Sequence, residues 1–134
     1  MFSLLLLIAS SAAADYIGAV VEHDIYFGSD DSSPESLLRA NIDMYGELAA
    51  VAALNKAQVV VFPEFGLTAA RDSTRNSLYP FSETFPAVST DLVPCTDSEY
   101  QSAEHFILKT SSCMAMNNNI VVLVNTVESI ACDS

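Results

Sequence analysis

Basic residues are scarce. Five Lys and Arg stand against 17 Asp and Glu, a formal net charge of −12, so the cationic surface that phosphate binding needs to release counterions is missing. Nucleic acid is therefore excluded as a partner. The acidic residues are spread along the chain apart from GSDDSSPE at 28–35, and they read as a solvated surface that implies no particular partner. Also missing is any apolar run near the ~20 residues that a membrane-spanning helix needs. The cysteines Cys95, Cys113 and Cys132 lack the paired spacing of a zinc site, and only His23 and His105 could assist them, so neither metal nor cofactor is expected. There is no Asn-x-Ser/Thr sequon, no internal repeat and no low-complexity tract.

What the chain does have begins at its first residues, MFSLLLLIASSAAAD. The run Leu4 to Ala9 is too short for a span, and Ala12, Ala13 and Ala14 suit signal-peptidase cleavage before Asp15. Residues 1–14 are expected to be a signal peptide; a buried N-terminal strand or helix is the alternative. The mature chain, 15–134, then fits one domain by length, secreted and without a membrane span. Three cysteines are an odd number for an oxidising compartment. One disulfide plus one leftover thiol is the simplest reading.

Residues 16–22, YIGAVVE, are mostly apolar with β-branched members and predict a buried strand. A helix start follows: Ser33 can cap, Pro34 fits the first helical position, and Glu35 favours the positive end of the dipole. Leu38, Ile42, Tyr45, Ala49 and Ala52, flanked by Leu37 and Leu48, make one face apolar, with Arg39, Asp43 and Glu47 away from it. Val59 to Phe62 come at once as an apolar strand, so the order is a parallel βαβ unit. Residues 66–97 show no period and predict a long loop with room for short helical turns, a feature that is usually functional or covers something. A second helix is expected from about Ser98 to Asn118, with Ala103, Phe106, Ile107, Thr110 and Met114 on one face, and IVVLV at 120–124 is a third buried strand. The fold class is α/β with a parallel sheet.

Ligands of open parallel sheets bind beyond the C-terminal ends of the strands. Glu64 stands two residues past the strand VVVF, and Pro63, with no N–H for a ladder, stops the strand before it. Beside Phe62 and Phe65 its carboxylate is expected to be partly desolvated and so tuned as a general base. An ordinary solvent-exposed loop glutamate is the alternative.

The stretch VVVFPEFGLT at 59–68, after an amphipathic helix that itself follows YIGAVVEHDIYF, resembles the nitrilase (carbon–nitrogen hydrolase) superfamily. Within it, the chain is most similar to the secreted pantetheinase (vanin) and biotinidase branch. The supporting pieces are VVEH at 20–23, RDSTRNSLYPF at 71–81, VPC at 93–95, SSCMAMNNNIVVLVNT at 111–126 and ACD at 131–133, in the branch's order. The resemblance implies a four-layer α-β-β-α sandwich, of which residues 15–134 supply an incomplete N-terminal part. It implies Glu64 as the base that takes the proton of a cysteine nucleophile. The thiolate attacks an amide carbonyl, a lysine stabilises the tetrahedral intermediate, and water releases the acid from a thioester. The substrate class would be a linear amide of the pantetheine- or biotin-amide type.

Nothing here matches the family's lysine or nucleophilic cysteine: Lys56 and Lys109 are expected on helices. By resemblance Cys95 pairs with Cys113, closing a loop worth about 3 kcal/mol in the chain-entropy model, and Cys132 falls in the family's PCD-like segment. A buried free thiol at Cys113 is the alternative. One rival function is a short non-catalytic secreted half-domain, a binding or structural module. Three parallel strands would then leave a sheet edge and a sheet face uncovered, which disfavours it. A second rival is an unrelated α/β binding domain in which Glu64 is only a loop residue.

Overall fold

Ser33 starts a helix as its sequence context predicts. Its backbone is extended and its Oγ accepts the Ser36 N–H at 3.1 Å, opening α1 (Pro34–Leu54) with Pro34 in the first turn. In this computed structural model, residues 15–70, 72 and 74–130 are described. The expected leader at 1–14 and Cys132 with its ACD segment lie outside them. Helix α1 stops because Lys56 turns left-handed at φ 66°. Its N–H then reaches the Ala53 carbonyl and the Ala57 N–H reaches that of Ala52 at 3.0 Å, so two orphan carbonyls are satisfied. Lys56 thus lies just past the helix rather than on it.

The chain enters a strand directly after that turn. The sheet contains β1 (Gly18–Val20), β2 (Val59–Val61) and β4 (Val121–Leu123) in the order β1-β2-β4, all parallel. Between β2 and β4 come α2 (Arg75–Leu78), β3 (Ser82–Glu83) and α3 (Phe106–Asn118), and β5 (Val127–Glu128) follows β4. Helix α3 ends as α1 does, at a left-handed residue, Asn119, before β4 begins. The class is mixed α/β with small parallel sheets, as the periodicities predict.

Both crossovers advance across the sheet in the same direction. Right-handed connections therefore put α1 and α3 on one face. Ile42, Tyr45, Ala49 and Ala52 of α1 and Ile107 and Met114 of α3 close a core over Val60, with Ala19 and Val122 packed against it. Ala19, Val60 and Val122 are register partners, so they point to the same side. The alternate row, Val20, Val61 and Leu123, points the other way. Val20 is 86% and Leu123 47% exposed. The expectation of buried strands is corrected here: among the described residues β1 and β4 are the sheet's edges, and only one face of the sheet is covered.

The segment expected to be a long loop with short helical turns has such turns at Arg75–Leu78 and Tyr79–Phe81, and it also holds the short strand β3, which was not expected. Thr74 caps α2, and Asp72 accepts hydrogen bonds from the Ser77 and Thr74 hydroxyls, which hold its carboxyl below the usual range. Strand β3 pairs in parallel with β5. The expected second helix begins only at Phe106; before it lie 3-10 turns at Ser98–Gln101 and Ala103–His105, separated by extended Ser102. No local side chain caps α3. Instead the buried Glu83 of β3 accepts the Ile107 N–H at 2.6 Å and the Leu108 N–H at 2.9 Å. Burial pushes the Glu83 carboxyl up, against the opposing pull of those two N–H groups. Cys95 and Cys113 are joined in a disulfide that ties the loop before α3 to the helix.

Candidate active site

Strand β2 delivers Glu64 to the C-terminal edge of the sheet. The ladder runs one residue past Val61, with the Phe62 N–H on the Leu123 carbonyl at 3.0 Å. Phe62 turns inward and stacks on Tyr45, ring centroids 3.8 Å apart and 10° from parallel. Pro63 has no N–H to continue the pairing, and a turn begins at Glu64. Glu64 is exposed. The partial desolvation expected from its phenylalanine neighbours is therefore not found. Phe62 is buried in the core, and Phe65 is itself 40% exposed.

The turn itself is strained and held. Phe65 has φ 59°, a left-handed conformation that costs a bulky residue of order 1–3 kcal/mol and persists only where surrounding contacts impose it. Its N–H donates to Asn125 Oδ1 at 3.0 Å, and its carbonyl accepts from the Thr68 N–H and hydroxyl, each at 3.0 Å. Gly66 lies against the fully buried Tyr45: a Cβ there would stand 2.0 Å from Tyr45 Oη and 2.9 Å from Pro63 Cγ. His23 meets the Tyr45 ring edge-on at 5.1 Å. Burial pushes the Tyr45 phenol up to about 12, so it stays neutral. Tyr45 Oη and both ring nitrogens of His23 are buried with no hydrogen-bond partner among the described residues.

Glu64 is the one expected catalytic residue, and among the described residues no free thiol accompanies it. Cys95 and Cys113 are consumed in their disulfide. Lys56 precedes β2 and Lys109 lies on α3. A depression of about 390 Å3 between α2 and β5, and one of about 480 Å3 between residues 85–94 and α3, are not lined by Glu64. Among the described residues no group of three or more His, Cys, Asp or Glu could hold a metal ion, and no helix is long and apolar enough to cross a membrane. Sequence reasoning missed Asn125, Tyr45 and Gly66 as parts of the turn. Asn125 was legible only as the end of β4, and Gly66 only as a small residue two places after the glutamate.

A parallel α/β unit with a carboxylate on a strained turn beyond its central strand has the form of an open-sheet ligand site. Known proteins narrow the class. No model of a known protein family matches the chain. Pantetheinase of Mus musculus is 29% identical over 99% of this chain and 27% of its own length. Biotinidase of Takifugu rubripes is 36% identical over 90% and 25%, and biotinidase of Bos taurus 32% over 84% and 22%. The chain is similar, over most of its length, to the pantetheinase and biotinidase branch of the nitrilase superfamily. It spans about a quarter of the length of these curated relatives.

Proposed function

We propose that this chain carries the general base of a carbon–nitrogen hydrolase that cleaves linear, non-peptide amides, of the kind its relatives' names, pantetheinase and biotinidase, denote. One observation carries the reading. Glu64 stands past the end of the central strand on a left-handed turn bonded to the neighbouring strand's tip. Strain of this sort clusters where a side chain must be aimed.

In this mechanism Glu64 accepts the proton of a cysteine thiol, and the thiolate adds to the amide carbonyl. A lysine stabilises the oxyanion. As the tetrahedral intermediate collapses, the C–N bond breaks and the amine leaves with the proton held by Glu64. Water then attacks the thioester, giving its proton to Glu64, and the acid and the free thiol are released. The cysteine and lysine come from sequence other than that described here. Their segment also forms the second sheet of an α-β-β-α sandwich, packed on the apolar row Val20, Val61 and Leu123. Residues 1–14 act as a signal peptide, and the Cys95–Cys113 bond suits the oxidising route they open.

The test is turnover of pantetheine and of a biotin amide. The 134-residue chain, purified alone, should release no amine above buffer. A protein that contains this chain together with the nucleophile and lysine segments should release it. Hydrolysis by the 134-residue chain that survives repurification would place the nucleophile within it and overturn the assignment.

A further inference from the structure

Pro63 breaks the ladder between β2 and β4 just where the candidate base must be aimed. The last backbone bond is Phe62 N–H to the Leu123 carbonyl, at 3.0 Å. Two residues further along the neighbouring strand, the Asn125 side chain takes over, its Oδ1 accepting the Phe65 N–H at 3.0 Å. That N–H belongs to the Glu64–Phe65 peptide. Fixing the plane of this peptide fixes ψ of Glu64 and φ of Phe65, the only soft backbone angles on either side of it. Phe65 φ is the left-handed 59° that a phenylalanine does not adopt unforced. We infer that Asn125 is a positioning residue for Glu64: its amide oxygen holds the turn in the conformation that presents the carboxylate.

The inference rests on Glu64 being the base. Asn125 and Phe65 are both exposed, so their bond adds little to stability, and its effect belongs in the rate. Displacing a catalytic group by about 1 Å costs up to ~100-fold in rate. The amide group faces the turn with its oxygen, an acceptor that aspartate also offers and alanine does not.

The experiment uses the enzyme that carries all three catalytic groups, with steady-state kinetics across pH beside thermal melts. Asn125→Ala should lower kcat about 10- to 100-fold, leave KM within twofold, and leave Tm unchanged. Asn125→Asp should recover kcat to within a few-fold of wild type. Its acid limb should shift to higher pH, because a second carboxylate is then bonded to the turn that bears Glu64. A purely structural asparagine would show neither the rescue nor the shifted limb. Wild-type kcat in Asn125→Ala, or a rise in KM alone, would overturn the inference, the latter by marking a substrate contact. Glu64→Gln is measured in parallel. If it is inactive while Asn125→Ala is fully active, only the positioning role falls. If Glu64→Gln is active, the base assignment falls and this inference with it.

Discussion

At the scale of single residues, the turn that bears Glu64 is held from below as well as from the side. Gly66 is required by space: its missing Cβ would overlap the Tyr45 hydroxyl and Pro63. Tyr45 cannot swing away, because its ring is stacked on Phe62 and fully buried. Gly66→Ala should therefore destabilise by about 1–3 kcal/mol, the usual range for overpacking, measured as the shift in a denaturant or thermal midpoint. Tyr45→Phe should be neutral or slightly stabilising, since the hydroxyl has no partner among the described residues. Combined with Gly66→Ala it should recover part of the loss, because it removes the atom that the new methyl meets. A double variant whose loss equals the sum of the single ones would show that the contact does not set the glycine.

At the scale of elements, what was legible was what local chemistry dictates. Ser33, Pro34 and the three- and four-residue spacing of Ile42, Tyr45 and Ala49 define α1, and the unbroken Val59–Val61 run defines β2. The start of α3 was not legible. Its cap, Glu83, is 24 residues before Ile107, and β3 is only two residues long, a partner for an equally short β5. No period can show in such strands. Replacing this cap should be costly: Glu83→Ala leaves two helix N–H groups without their acceptor in a buried place and should cost about 1–3 kcal/mol. The pH dependence has a definite sign. Burial holds the folded-state Glu83 carboxyl above its ordinary 4.5, so just above that pH the folded state keeps a proton that the unfolded state has lost. This group's contribution to stability thus falls as pH rises through the window from 4.5 to the raised value. Urea midpoints from pH 4 to 7 should show that decline in wild type and lack it in Glu83→Gln.

At the scale of the whole molecule, the sheet has one finished face and one bare one. Val20, Val61 and Leu123 form an apolar row with no cover among the described residues, between two edge strands. The 134-residue chain should therefore bind a hydrophobic dye such as ANS and self-associate. Val20→Lys with Leu123→Glu should abolish both with little change in its Tm. The same pair of changes should strongly destabilise a protein in which a second sheet covers that row. Equal effects in both settings would mean the row is never covered. Glu64 as the base of an amide hydrolase is open to test in the protein that holds all three catalytic groups. The measurement is kcat for a pantetheine or biotin amide, in wild type and in Glu64→Gln, beside thermal melts of both. General-base assistance is worth about 10² to 10⁴ in rate, and an exposed side chain contributes within about 0.5 kcal/mol to stability. Glu64→Gln should lose at least a hundredfold in kcat while its Tm stays in place. Activity within a few-fold of wild type would contradict the assignment and leave Glu64 an ordinary turn residue.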